Sequence, residues 1–190
     1  ANQRYLDFAD GLLQSAIDLN NPGVLPLPLN RAMLAGLVFS RDIKRILLAG
    51  TGGGATARFL MQRAPQIEGE AVELSAEVAD IARGYFDFPA SWPIHIEAIQ
   101  HFLAQPQTQF DLILLDIMML GMDGWQVCRT IKNHPDYGAT KVVMVTAKGD
   151  FEDKFEGMRS GADDYVVKPV DLSELEEKVR RNLDAVERDS

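Results

Sequence analysis

A single cysteine, Cys128, stands among 190 residues. One thiol closes no internal disulfide, and no CxxC pair exists to hold zinc. The simplest role for Cys128 is a small buried side chain on a helix. Basic blocks are missing too. The formal net charge is -9, divided as -3 over residues 1–110 (8 basic, 11 acidic) and -6 over residues 111–190 (11 basic, 17 acidic). Neither segment offers the positive stripe that duplex nucleic acid or an anionic membrane requires, so neither partner is expected. No apolar run approaches the roughly 20 residues of a membrane span. No signal peptide is visible, and a cytoplasmic protein is expected. His95, His101 and His134 lie at unrelated places and suggest no metal cluster. What remains is an ordinary globular composition, 46% apolar and 25% charged, long enough for one good core.

Residues 4–8 and 12–17 are short β-like runs around Ala9-Asp10-Gly11, a hairpin signal. Residues 20–30 (NNPGVLPLPLN) form a proline-rich connector that cannot be a helix interior. Residues 31–39 carry apolar side chains at helical spacing, with Asn30 as candidate N-cap. Residues 1–40 thus read as hairpin, connector and first helix, and residues 41–190 as a single α/β domain. In that domain apolar strands are expected at 46–49, 71–74, 94–96, 112–115, 142–145 and 165–167. Helices are expected at 55–62, 76–86, 99–104, 124–133, 151–160 and 172–186. Ser75 caps the second of these, and Ser173 or Asp171 the last. Short apolar strands between amphipathic helices imply a parallel sheet covered on both faces. Ligands of such sheets sit at the C-terminal strand tips, here Gly50, Glu73, Ala98, Asp116, Thr146 and Lys168.

The segment RILLAGTGGGATARFL places Gly50, Gly52 and Ala55 in a G-x-G-x-x-A pattern directly after a strand and at the opening of a helix. Glycines there let the backbone turn tightly and approach a ligand, and the helix start favours negative charge. Glu73 ends the next strand, where a carboxylate can accept from both hydroxyls of a ribose. The bland alternative is a tight turn whose glycines serve helix–sheet packing alone.

Together with QSAIDLNNP, RAMLAGLVF, AVELSAEVADIAR and FDLILLDI, this segment resembles the N-terminal part of the spermidine synthase (polyamine aminopropyltransferase) family. That family is one branch of the S-adenosylmethionine-dependent methyltransferase fold group. The resemblance covers about residues 4–117. It implies that Gln14, the loop with Gly50, Gly52 and Gly54, and Glu73 face a nucleoside of the S-adenosylmethionine or methylthioadenosine type. It also implies Asp116 as the acidic residue at the fourth strand tip. The family's tyrosine-histidine-glutamate stretch is missing after Gln14, and Ala98 stands where an acidic residue is expected to meet the adenine. Aminopropyl transfer needs an amine held in line with the sulfonium carbon, and no polyamine site is visible.

From residue 111 the chain resembles a second family. DLILLDIMMLGMDGWQVCRTIK and KVVMVTAKGDFEDKFEGMRSGADDYVVKPVDLSELEEKVRRNL are similar to the response-regulator receiver family. The resemblance implies Asp116 as phosphoacceptor, Thr146 as switch hydroxyl, Tyr165 as switch aromatic and Lys168 as the ammonium that contacts phosphate. A carboxylate attacking phosphorus builds negative charge on the equatorial oxygens, which Lys168, Thr146 and Mg2+ would neutralise. The family takes an acidic pair for Mg2+ from its first strand tip. Ala49, Gly50 and Thr51 stand there instead, and no carboxylate occurs between Lys44 and Gln66. Asp116 alone remains as a metal ligand, so Mg2+ is expected to bind weakly. Leu120 replaces a common proline. Simpler roles exist for each residue: Asp116 as a turn cap, Lys168 as its ion-pair partner, Thr146 and Tyr165 as parts of the fold.

Joined on the shared DLILLD strand, the two patterns give a three-layer Rossmann-like domain behind a small N-terminal β-hairpin. Its six-stranded parallel sheet has the order 3-2-1-4-5-6, with residues 41–110 methyltransferase-like and 111–190 receiver-like. The leading expectation is a hybrid, an engineered or recombined chimera, without efficient catalysis and with a vestigial nucleoside pocket. The first alternative is a receiver-type phosphoacceptor module using Asp116, which would have a histidine kinase as partner. The second is a small-molecule transferase of the S-adenosylmethionine type. The hairpin exposes a strand edge that invites pairing, which leaves a homodimer open.

Overall fold

The computed structural model describes residues 2–7, 13–20, 43–105, 109–116, 123–146 and 160–167. The hairpin turn at 9–11, the rest of the connector with Asn30, the helix at 31–39 and Leu120 fall outside them. So do the helix at 151–160 except Ser160, Lys168, and the helix at 172–186 with its capping candidates. Strands β1 (Gln3–Asp7) and β2 (Leu13–Asp18) pair antiparallel. The register shifts between Leu6 and Asp7, where Ser15 faces Leu6 and Leu13 faces Asp7. Gln14 is therefore the extra residue of a β-bulge.

After the hairpin, strands and helices alternate. They are β3 (Arg45–Ala49), α1 (Ala55–Arg63), β4 (Glu68–Glu73), α2 (Ala76–Tyr85), β5 (Ile94–Ile96) and α3 (Ile99–Leu103). Then follow β6 (Leu112–Asp116), α4 (Gly124–Lys132), β7 (Lys141–Thr146) and β8 (Asp164–Val167). Within the second sheet the spatial order is β5-β4-β3-β6-β7-β8, and every neighbouring pair is parallel. The chain steps outward from β3 through β4 to β5, then returns to the other side of β3 and steps outward again. The reversal lies between β3 and β6, which opens a crevice at their C-terminal tips.

Residue alternation along the central strands fills both faces. Ile46, Leu48, Leu112 and Leu114 join Ala55, Leu60, Ala82, Phe86 and Trp92 in one core. Leu47, Ala49, Ile113 and Leu115 join Phe102, Val127, Cys128 and Ile131 in the other. Full burial of each Leu or Ile stabilises the fold by about 1.5–3 kcal/mol as an upper figure. Gly69 in β4 is held to glycine by contact: a Cβ there would lie 2.2 Å from the ring of buried Trp92.

Two of the helices, α2 and α4, begin where a short polar side chain caps them. Ser75 Oγ accepts from the Val78 amide at 3.3 Å, and Asp123 Oδ1 accepts from the Trp125 amide at 3.0 Å. Arg83 lies in the last turn of α2, Arg129 and Lys132 in that of α4, where cations meet the negative helix end. β4 differs from the sequence expectation. It starts at Glu68 rather than 71 and ends at Glu73, leaving Leu74 outside the sheet. Charged Glu68 and Glu70 disguise its first half, and Arg45 from β3 pairs with both, at 3.2 and 2.7 Å. Asp111 adds a clamp the sequence did not announce: one carboxylate oxygen accepts from the Lys44 and Arg45 amides, both at 2.8 Å, and fixes the start of β3. No described helix is long and apolar enough to cross a membrane.

Candidate functional site at the strand tips

The turn after β3 is shaped by glycine. Gly50, Gly52 and Gly54 have φ of 90°, 47° and 76°, the left-handed region that strains side-chain-bearing residues. The Gly50 amide still donates to Val72 O at 2.9 Å, and the Gly54 amide closes the turn on Thr51 O at 2.8 Å. Gly54 then begins α1 without a side-chain cap.

Glu73 reaches this turn from the tip of β4. Its Oε2 accepts from the Thr51 amide at 3.0 Å and the Thr51 hydroxyl at 2.9 Å, and its Oε1 accepts from the Ser75 amide at 3.1 Å. The carboxylate is thereby fixed, with part of its acceptor capacity left over for a ligand hydroxyl. Space beside the loop is another matter. A Cβ on Gly53 would meet Ser15 Cβ at 2.6 Å, Ser15 Oγ at 2.7 Å and Phe86 at 2.9 Å; one on Gly54 would meet Phe88 at 2.6 Å. This chain's own hairpin and the segment after α2 fill the room that the glycines leave there. Sequence reasoning missed Ser15, Phe86 and Phe88. No motif marks them, because their contact with the loop is made only by the fold.

Asp116 is the last residue of β6 and is half-buried. Ala49 and Leu115 are register partners, so Asp116 stands one step beyond them, beside Gly50. On its other side it is paired with Val145 of β7. Thr146 ends β7 opposite Val167, and Tyr165 lies opposite Met144 in β8. The fold thus brings Gly50, Asp116 and the backbone of Thr146 to neighbouring strand tips. Gln14 lies in the hairpin, in the strand segment that reaches Gly53 through Ser15. Lys168 follows directly on β8 in sequence and lies outside the described residues.

Among the described residues, those at the tips of β3 and β6 do not fit Mg2+. The ion demands octahedral hard oxygen ligands, usually with one or two carboxylates. The tip of β3 supplies Ala49, a φ-positive glycine and Thr51, whose hydroxyl is already donated to Glu73. Glu73 belongs to β4, two strands from β6, about 10 Å at roughly 4.8 Å per strand, and it is committed to Thr51 and Ser75. Among the described residues no group of three His, Cys, Asp or Glu side chains could hold a metal ion. A nucleoside fits in part: Glu73 is suitably placed, while the walls beside Gly53 and Gly54 are filled.

Two titrating groups lie in the core behind the site. Burial pushes the Cys128 thiol above its ordinary 9.0, partly offset by its hydrogen bond with Ser160. Burial, with Asp136 and Glu70 nearby, pushes the Tyr137 phenol above 10.0. Cys128 is a neutral packing residue, as its sequence context suggested.

Comparison with known proteins assigns one part of this arrangement. Residues 95–180 match the family model of the response regulator receiver domain. The match begins in β5, upstream of position 111, and includes Asp116, Thr146, Tyr165 and Lys168. Over 74 residues the chain is 43% identical to Response regulator ArlR of Staphylococcus saprophyticus, and over 74 residues it is 45% identical to Transcriptional regulatory protein HprR of Escherichia coli. Each alignment covers 39% of this chain and 32% of the relative, so the chain spans about a third of the length of the curated relatives it matches. Among solved structures, a probable spermidine synthase from Corynebacterium glutamicum superposes with a TM-score of 0.52 at 21% identity, covering 67% of this chain and 56% of that one. At that identity the likeness shows a shared fold. Residues 95–180 are therefore similar to the response regulator receiver domain, within an α/β fold with a parallel sheet.

Proposed function

We propose that the chain acts as a receiver-type signalling module in which Asp116 accepts a phosphoryl group, with a histidine kinase as its phosphate source. The observation that carries this reading is the position of Asp116: half-buried at the tip of β6, beside the crevice between β3 and β6, and inside the segment that matches the receiver family. In the reaction a carboxylate oxygen of Asp116 attacks phosphorus, and the bond from phosphorus to the donor's leaving group breaks. The product is an acyl phosphate. Lys168 and the Thr146 hydroxyl have the chemistry to balance the added charge. Trp125 is a natural reporter, since it packs partly buried against the core on that side of the sheet. Acetyl phosphate should add one phosphoryl group and shift Trp125 emission in the wild type, and do neither in Asp116→Asn. Absence of phosphorylation with and without magnesium would reject the reading.

A second reading rests on Glu73, fixed at the strand tip by Thr51 and Ser75 beside three φ-positive glycines. In this reading residues 41–110 are the nucleoside-binding half of a hybrid chain, and the loop keeps weak affinity for methylthioadenosine-type ligands. The filled space at Gly53 and Gly54 weighs against tight binding. Calorimetry decides it: the reading expects weak heats with S-adenosylmethionine or methylthioadenosine that disappear in Glu73→Ala. No heat from either ligand at millimolar concentration rejects it.

A further inference from the structure

The donors that converge on Glu73 are divided unevenly between its two oxygens. From this division, and resting on the nucleoside reading of the glycine turn, we infer that Thr51 limits Glu73 to one ligand hydroxyl. The site then takes a nucleoside without recognising its two ribose hydroxyls as a pair.

A carboxylate has about four acceptor positions, two on each oxygen. The amide and the hydroxyl of Thr51 both donate to Oε2, at 3.0 and 2.9 Å, and fill both positions there. The Ser75 amide fills one position on Oε1, at 3.1 Å. A single position, on Oε1, is left for a ligand. Two adjacent hydroxyls grip a carboxylate best with one on each oxygen, the fork geometry that strengthens bidentate pairs. Oε2 has no room for its half of that fork.

Local structure keeps these donors where they are. Thr51 is buried, 8% exposed, and its carbonyl accepts from the Gly54 amide at 2.8 Å. Gly50 and Gly52, with φ of 90° and 47°, set the course of the turn on either side of it. Ser75 is the N-cap of α2, and its side chain accepts from the Val78 amide. Glu73 itself lies in the sheet opposite Ile96, and its carbonyl accepts from the Glu97 amide at 3.1 Å. The selective group is the Thr51 side chain. Any residue but proline at position 51 could donate its amide to Oε2, whereas the second bond needs a hydroxyl. Thr51 Oγ1 thus stands in the place of a ligand hydroxyl, and Thr51 is a specificity-determining residue.

The test titrates the intact chain with adenosine, 2′-deoxyadenosine and 3′-deoxyadenosine to millimolar concentration and follows the amide resonances of Thr51 and Ser75. Glu73→Ala is the control. In the wild type, at least one deoxy analogue should bind within about 2-fold of adenosine, because one hydroxyl suffices for the open position. In Thr51→Ala, adenosine should bind about 10-fold more tightly, and both analogues should fall about 10-fold behind it. Thr51→Ser, which keeps the hydroxyl, should behave as the wild type. Adenosine binding that depends on Glu73, with both analogues about 10-fold weaker in the wild type, overturns the inference and leaves the nucleoside reading intact. So does a Thr51→Ala protein with the wild-type affinities. No shift with any of the three compounds, in the wild type and in Thr51→Ala, overturns the nucleoside reading and the inference with it.

Discussion

Cys128 shows how a single side chain can couple stability to pH. Its thiol is fully buried between α4 and the sheet, and burial holds its pKa above 9.0. Tyr137 is buried in the same core with its pKa above 10.0. A raised pKa in an acid that is neutral when protonated means that the folded state resists losing the proton. The associated stability is fully present below the unfolded pKa and is lost as pH rises through the folded one. For Cys128 the loss starts near pH 9.0, and its limiting slope is about 1.4 kcal/mol per pH unit. Urea unfolding at pH 8 and pH 10 should therefore show a marked alkaline loss in the wild type and a smaller one in Cys128→Ala. Equal losses in both proteins would assign the effect to other groups.

Among the elements, the N-terminal hairpin is held against the glycine turn by close contact rather than by charge. Ser15, Ala16 and Ile17 of β2 are buried, and Ser15 lies where a Cβ on Gly53 would project. Gly53→Ala should push β2 away from the turn and destabilise the protein by about 1–3 kcal/mol, the usual range for overpacking. Hairpin amides should then exchange faster. Ser15→Gly in the same chain should restore part of the loss, because it removes the colliding carbon, whereas Ser15→Ala should not. Unchanged stability in Gly53→Ala would mean that the hairpin rests elsewhere. These contacts were not legible in the sequence: the G-x-G-x-x-A pattern points to a turn, but nothing in it distinguishes a ligand from a serine or a phenylalanine as the occupant. The start of β4 was hidden for a related reason. Glu68 and Glu70 look like loop residues until Arg45 is placed across from them. Elements with unbroken apolar runs, such as β3 and β6, were visible from composition alone, and Ser75 announced its helix because an N-cap is a local interaction.

At the scale of the whole molecule, the parallel sheet brings the glycine turn after β3 and Asp116 of β6 to neighbouring strand tips. Short apolar strands between helices carried the α/β class, since only helices on both faces can cover such strands. Asp116 was legible because it ends an unbroken apolar run, Leu112 to Leu115. The reach of the receiver match back to β5 was not, since IHI and the short helix after it carry no receiver motif of their own. The arrangement leaves Asp116 with a glycine turn on one side and β7 on the other, and with no carboxylate from β3. That combination is what separates this chain from the receiver pattern it otherwise follows, and it makes the fate of Asp116 the central question.

Peptide mass spectrometry after acetyl phosphate treatment addresses that question most directly. One hydroxylamine-labile phosphoryl group on the peptide that contains Asp116, present in the wild type and missing from Asp116→Asn, is the expected result. An unmodified Asp116 after prolonged exposure, in a chain that remains folded, would contradict the account.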